Sequence, residues 1–504
     1  MTSETELKFL MSFEDLPKVK LLPMLQSGFL TGKARHSETC YFDTPERDLW
    51  KSGFSLRVRK IDRDFIQTVK LETSSSIKRG EWESKIDRAA PELAIIDHTP
   101  LADVLNARIR QNLKRAFQVD VERTSFLLDA RDAEIEVALD QGQIRTDPPG
   151  VAAAKSEALN VCELELELKR GDAAAAFALA RVLATQAPLR LSVISKAERG
   201  HLLAEGAFGR PAKASKPRIS ADMTGPQAFK AICRACLHDF MLNEAGLETP
   251  DAAEAVHQGR IAVRRLRACL SLFKPIIRDD AYPKIRADLN WISRIFGLAR
   301  DLDVMRPAPK AASQPEIATL SEFSGWIEAG RLAAHQTVRD AVGSLRWRIF
   351  MIDLTQWIEN REGRPHERLD AMPSFVRTRL KKRLDSLVRK GRRLEKLDSE
   401  SRHKVRIEAK NLKYMTEFFL DVPSVAASKP RGNLIFWLDG LQSALGKVRD
   451  EEARAAAVDA AMRSWRSGSE SLDRTAIPIA KEWTMPQCDV RKQMRKAVQS
   501  YSKL

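Results

Sequence analysis

Glu163-Leu164-Glu165-Leu166-Glu167-Leu168-Lys169 alternates charge with leucine at every step. In a β-strand residues i and i+2 share a face, so the three glutamates stand side by side and the three leucines look the other way. Three further stretches repeat the alternation: Glu4-Thr5-Glu6-Leu7-Lys8, Leu56-Arg57-Val58-Arg59 and Arg79-Gly80-Glu81-Trp82-Glu83. At roughly 7 Å and an effective dielectric near 20, neighbouring carboxylates on such a face repel by about 2 kcal/mol. A cation relieves the acidic rows and an anion the basic ones. A divalent metal together with a phosphate chain satisfies both. One such strand alone reads as the wet face of an antiparallel sheet. Several of them between residues 4 and 169, acidic and basic mixed, point instead to a polar interior.

The leucine face of residues 163–169 is followed by Gly171-Asp172 and the run Ala173 to Gln186, which predicts an Asp-capped, apolar helix. Helix and strand can pack through their apolar sides. That leaves the charged side facing inward, as in a closed barrel with a polar lumen and helices outside.

These residues also carry a family resemblance. Residues 1–206 are similar to the CYTH, or triphosphate tunnel metalloenzyme, family, beginning with the Glu-x-Glu-x-Lys signature at Glu4, Glu6 and Lys8. The match continues in order through YFDTPERDLW (41–50), LRVRK, QTVK ending at Lys70, RGEWE, ERT around Arg123, EIEVALDQG (134–142), CELELELK and SKAERG (195–200). The resemblance implies an eight-stranded antiparallel β-tunnel covered by helices that binds a linear triphosphate with Mg²⁺ or Mn²⁺. The implied metal ligands are Glu4, Glu6, Glu165 and Glu167, since a hard cation takes oxygen donors. Lys8, Arg57, Arg59, Lys70, Arg123 and Lys196 are the implied substrate clamp, and Glu4, Glu6, Lys8 and Lys196 the catalytic set. An activated water then attacks the terminal phosphorus. Arg79, Glu81, Glu83, Glu136, Asp140 and Glu163 lie in matching motifs without an assigned role.

At 504 residues the chain is long enough for two or more domains. Residues 1–206 carry a net charge of −2 and residues 207–504 carry +18, so all the net basicity lies in the second part. The join is GAFGRPAKASKPRISADMTGP, rich in Gly, Pro, Ser and Lys and without apolar period, and residues 207–221 are taken as a linker. Beyond it, from residue 222 to 504, long helices are expected, with an internal repeat. His257, Arg260, Arg264 and Arg267 recur 146 residues later as His403, Arg406, Lys410 and Lys413. At 3.6 residues per turn each set forms one stripe along a helix. A second shared phrase follows each, FGLARDLDV at 296–304 and LGKVRDEEA at 445–453. A duplication into two related helical halves accounts for both.

This part resembles the CHAD domain, an all-helical family of two four-helix halves, most specifically at VHQGRIAVRRLRA and RDLDV. The fold class so expected is α+β overall, an N-terminal tunnel and an all-α C-terminal domain. The resemblance implies binding of inorganic polyphosphate by the eight residues of the two stripes. Charge alone also admits nucleic acid, but no aromatic interleaves either stripe to stack bases, which argues against it. No HExxH or paired Cys-His pattern supports zinc, and Cys233 and Cys236 are expected in the core. With six scattered cysteines, no apolar run long enough to span a bilayer and no signal pattern, a cytoplasmic protein without membrane partners is expected. Three functions are compatible: an inorganic triphosphatase with a polyphosphate-binding domain, a CYTH enzyme acting on an organic triphosphate (thiamine triphosphatase or adenylyl cyclase), and a non-catalytic polyphosphate-binding scaffold.

Overall fold

A computed structural model describes residues 2–30, 34–72, 78–130, 132–146, 157–249, 252–305, 318–361, 372–391, 394–422, 425, 434–448, 492, 495 and 496. The architecture is mixed α+β, with a large antiparallel sheet at the N-terminus and a helical C-terminal region. Two compact units divide the chain. The first holds Met1–Lys213, Leu237–Ala255 and Arg339–Asn360; the second holds Ala214–Cys236, Val256–Val338 and Arg361–Leu504.

The first unit is built on strands β1 (Thr2–Leu10), β2 (Phe29–Leu30), β3 (Arg35–Asp43), β4 (Phe54–Ile61), β5 (Asp64–Leu71), β6 (Lys78–Ile86), β7 (Lys114–Ala130), β8 (Ala133–Thr146), β9 (Glu157–Arg170) and β10 (Arg190–Ser192). Eight of them follow one another as β1-β6-β5-β4-β3-β7-β8-β9, and β1 pairs again with β9. The ring is closed and leaves none of these eight with a bare edge. The sheet as a whole has ten strands where eight are expected from the sequence, because two short strands attach to the ring. One edge of β1 pairs with β6 over Thr2–Thr5 and with β10 over Lys8–Leu10, so β10 takes up the ladder where β6 leaves it. Strand β2 pairs only two residues with β7.

The alternation read from the sequence decides what lies on each side. Leu7, Phe9, Leu164 and Leu166 are buried, as are Ala176, Phe177, Ala180 and Leu183 of the helix Ala173–Gln186, which packs on β1 and β9. Asp172 caps that helix by accepting the Ala174 N–H at 2.7 Å, and Gly171, at φ +104°, makes the turn into it. A second helix, Lys196–Ala204, packs Ala197 and Leu203 against Tyr41, Phe117, Val119 and Val121. Gly200 sits so close to Phe117 that a Cβ there would lie 2.1 Å from a ring carbon.

The second unit is helical. It contains most of the helix Ala253–Ile277, then Tyr282–Met305, most of Ala318–Gly343, Met372–Lys390, Ser399–Glu417 and a helix at 434–448. Leu387, Val405, Leu412, Leu438 and Leu441 form one core cluster; Phe273 and Phe419 are fully buried elsewhere in the unit, 6.5 Å apart. Cys233 and Cys236 are buried, as expected, and so is Phe418. Residues 449–453 of the second shared phrase lie outside the described residues. No described helix is long and apolar enough to cross a membrane.

Replacing Gly200 by Ala tests the contact with Phe117. Helix propensity favours Ala by about 1 kcal/mol, whereas overpacking costs about 1–3 kcal/mol. The Gly200→Ala chain is expected to unfold its first unit at lower urea; an unchanged or higher midpoint would mean that the ring of Phe117 moves aside at no cost.

Candidate functional site

The inward faces of the ring enclose a cavity of about 420 Å³. β1 contributes Glu6 and Lys8, β4 Arg57 and Arg59, β5 Lys70, β6 Glu81 and Glu83. β7 contributes Arg123, β8 Glu136 and Asp140, β9 Glu165 and Glu167, and the first turn of the helix Lys196–Ala204 supplies Lys196. Period-two alternation puts these side chains on the lumen side, and ring closure brings them together from strands far apart in sequence. Every residue expected as metal ligand, clamp or catalytic group whose side chain is described is in this set, and Glu163 is not among the lining residues. Glu4 occupies β1 opposite Arg79 on β6, and the side chains of both lie outside the described residues.

At the centre of one wall, three carboxylates, Asp140, Glu163 and Glu165, lie within 4.8 Å of one another. The Lys196 ammonium contacts all three, at 2.7 Å from Asp140 and 2.9 Å from Glu165, with Glu163 as its third partner. Arg199 also holds Glu163, Lys8 lies 3.2 Å from Glu165, and Arg123 grips Asp140 through two bonds of 2.7 and 2.6 Å while reaching Glu165. Burial works to raise the Glu165 and Asp140 carboxyls, but Lys196 and their other cationic neighbours outweigh it, and both stay below the usual carboxylate range, Glu165 well below. Burial works against the charged forms of Lys196 and Lys8 as well, and the surrounding carboxylates raise both.

A second acidic row runs along the same wall. Glu6 on β1, Glu167 on β9 and Glu136 on β8 are direct cross-strand partners, an arrangement of like charges that destabilises a bare sheet. Lys169 compensates Glu136, at 2.9 Å, and Glu167. Glu6 has Lys8 at 3.6 Å, yet its buried Oε1 has no hydrogen-bond partner among the described residues. On the opposite wall Arg57 donates to Glu81 at 3.1 Å, Glu83 lies 3.7 Å from it, and Lys70 meets Glu81 at 2.8 Å. Arg59 differs: no hydrogen bond or ion pair within 4 Å reaches it among the described residues. Arg57, burial and Arg123 together push it down to about 10.

Counted over the described lining residues, seven cations face eight carboxylates. Sequence reasoning left Asp140 and Glu163 without a role and omitted Arg199, although SKAERG contains it. Pairing across the ring, which no local pattern reveals, gives these residues their partners.

The second unit carries a different cavity, a cleft of about 830 Å³. Arg260, Arg264 and Arg267 from one helix and His403, Arg406 and Lys410 from another line it. His257 and Lys413 are not among the lining residues, and Lys413 is engaged with Asp439 and Glu417. The cleft adds Lys274, Arg286, Arg294 and Arg383, which sequence reasoning did not name. Arg286, Asn290 and Arg294 recur at four-residue spacing on the helix Tyr282–Met305, a stripe legible in retrospect but diluted by polar neutral residues. No carboxylate is among the described lining residues. Burial, then Arg264, lowers Arg260 to about 10 against the pull of Asp301; burial followed by Arg264, Arg406 and Arg260 lowers Lys410 to about 7.

Comparison with known proteins finds two families along the chain. The CYTH domain family matches residues 2–201 and the CHAD domain family residues 231–481. An inorganic triphosphatase from Haemophilus influenzae is 30% identical over 179 residues, 33% of this chain, and the match spans 46% of that protein. Among solved structures, the CHAD domain from the plant Ricinus communis is 25% identical at a TM-score of 0.49, covering 58% of this chain and 97% of that one. A putative adenylyl cyclase from Hippeastrum, described as having a dominant triphosphatase activity, is 16% identical at a TM-score of 0.28, covering 40% and 96%. With the two families matched in order along one chain, this protein is a CYTH domain followed by a CHAD domain and resembles the inorganic triphosphatases.

Proposed function

We propose that the tunnel is a metal-dependent hydrolase of inorganic triphosphate, cleaving tripolyphosphate to diphosphate and phosphate, and that the basic cleft binds longer polyphosphate. This reading takes the closed ring as an eight-stranded tunnel over residues 1–206, residues 207–221 as the linker and residues 222–504 as two related four-helix halves. A cytoplasmic setting fits the free thiols of the described cysteines. The observation that carries the reading is Arg59, a cation held inside the tunnel by its strand, crowded by Arg57 and Arg123 more than Glu83 and Tyr41 offset, and with no carboxylate within 4 Å among the described residues. An anion that enters beside it relieves such a group further.

Tripolyphosphate brings about four to five negative charges. The described lining is already near balance, so a chain of that charge needs an accompanying cation. The residues present fit one. The Glu6, Glu167 and Glu136 row offers hard oxygen donors, and Glu6 Oε1 lacks a hydrogen-bond donor, whereas Asp140, Glu163 and Glu165 are filled by Lys196 and guanidinium groups. Mg²⁺ or Mn²⁺ held by Glu6 and Glu167, with Glu4 and Glu165 nearest in the strand pattern, would neutralise charge on the phosphate oxygens. Lys8, Arg57, Arg59, Lys70, Arg123 and Lys196 form the clamp. Most of them are fixed beforehand by carboxylates, so little reorganisation is needed when charge develops. Asp140 and Glu165 stay ionised at neutral pH and can orient a water but not donate a proton.

An organic triphosphate is less well matched. Tyr41 is the one aromatic among the described lining residues, and its ring is stacked on Phe117 at 4.6 Å. In a phosphate-release assay with Mg²⁺ or Mn²⁺, tripolyphosphate is expected to exceed ATP and thiamine triphosphate at least about tenfold in kcat/KM, roughly 1.4 kcal/mol of transition-state stabilisation. Glu6→Gln is expected to lower that rate about a hundredfold or more. A wild-type rate in this variant removes Glu6 from the metal site, and a preference for the thiamine ester or production of cyclic AMP moves the protein to the organic class.

For the cleft, replacing Arg260, Arg264, Arg406 and Lys410 by Ala should weaken binding of long-chain polyphosphate far more than replacing the exposed Arg377, Lys381, Lys382 and Arg389. Equal losses would reduce the cleft to bulk charge, and a preference for single-stranded RNA at equal salt would reassign it.

Lys410, lowered to about 7, is mostly neutral at pH 8 in the free protein. A bound polyanion favours its charged form, so binding takes up a proton and affinity should rise as pH falls from 8 to 6. Lys410→Arg should flatten that dependence; an identical slope in the variant assigns it to another group.

A further inference from the structure

Two stretches of the basic half of the chain belong to the same compact unit as the tunnel: Leu237–Ala255, which begins in the helix Gly225–Glu244, and Arg339–Asn360, which contains the helix Leu345–Glu359. Their contacts with the tunnel's outer layer are specific. Arg181 donates to Asp353 at 2.7 Å and also reaches Gln356; the Val193 N–H points at the Met241 sulfur at 3.3 Å; Arg348 donates to the Ala184 carbonyl at 3.3 Å.

One contact leads into the tunnel. Ser195 caps the helix Lys196–Ala204 by accepting the Glu198 N–H at 3.0 Å. Within the first turn, Lys196 reaches Asp140 and Glu165 and Arg199 reaches Glu163, while Glu198 turns away and sets its Oε1 2.6 Å from His238 Nε2. A carboxylate only accepts, so the ring nitrogen donates. Successive residues are rotated by about 100° around a helix, so this single turn is tied from opposite sides, by the tunnel carboxylates and by His238.

We propose that His238 is a positioning residue for the tunnel: through Glu198 it fixes the roll of the helix Lys196–Ala204 and so holds the Lys196 ammonium against Asp140 and Glu165. The helix has nine residues; Gly200 sets its distance from Phe117, Ala197, His201 and Leu203 pack its apolar side, and the Glu198–His238 bond is the tether on the side away from the tunnel carboxylates. Lys196 reaches its partners over a flexible four-carbon stem, and its place depends on where the helix presents that stem. His238 comes from outside residues 1–206, so the tunnel's charged wall is completed by a segment of the following half. This rests on the reading that the tunnel acts on triphosphate only for its kinetic consequence.

The test uses the full chain with His238→Phe, which keeps a ring and removes the donor, and His238→Gln, which keeps an N–H donor. Amine labelling by acetic anhydride without substrate, read by peptide mass spectrometry, reports Lys196 directly, with Lys70 on the opposite wall as reference. His238→Phe is expected to raise Lys196 labelling about fivefold relative to Lys70 and to lower kcat/KM for tripolyphosphate about tenfold, since small misplacements of a charged group cost that much or more. His238→Gln should return both towards wild type. Unchanged Lys196 labelling in His238→Phe, or an equal rise at Lys70 with a lowered melting temperature, overturns the positioning role. If the wild type hydrolyses no triphosphate, the functional reading falls while the labelling still decides on His238.

Discussion

Ionised groups facing one another inside a closed ring of strands are the constraint on which the tunnel depends. A barrel lumen screens charge poorly compared with water, so a buried charge without an opposite partner is costly, and most of the described carboxylates and cations here are paired. Lys196 satisfies three carboxylates at once and is itself delivered by a helix, not by a strand. The helix Lys196–Ala204 lies close on β7, where the residue facing Phe117 is a glycine. Losing one member of such a cluster leaves the others buried and uncompensated, at a cost of about 3–5 kcal/mol.

The two cavities solve opposite electrostatic problems. The tunnel mixes signs and is close to neutral over its described lining, so it discriminates by where the charges are: among the described residues Arg59 has no ion pair within 4 Å and Glu6 Oε1 no hydrogen-bond donor. The cleft lines one surface with cations and no described carboxylate, and burial together with their mutual repulsion brings Lys410 to about 7. A surface of the second kind attracts polyanions in general. Only the first kind, with donors fixed before the substrate arrives, is suited to stabilising a particular distribution of charge.

Much of this was legible in the residues alone. Alternation in Glu163–Lys169 implies a strand with a charged and an apolar face, and Asp172 implies the cap of the helix behind it; both are present. The repeat of basic offsets implies two helical stripes, and Arg260, Arg264, Arg406 and Lys410 do line one cleft. A stripe does not disclose which of its members face the cleft, since packing neighbours set the orientation, and His257 and Lys413 are not in the lining. The short strands β2 and β10 were also unreadable, because two or three residues carry too little pattern to register.

The sequence by itself determined the period of each strand, the sign of charge on each face and the division into a near-neutral and a basic part, because these follow from neighbours two, three or four residues apart. Tertiary structure alone decided who pairs with whom. Arg123 meets Asp140, Lys196 meets Glu165, Glu6 faces Glu167, and His238 joins Glu198 from further along the chain. Those partners lie 17, 31, 161 and 40 residues apart, and only closure of the ring and packing of helices on it bring them within reach.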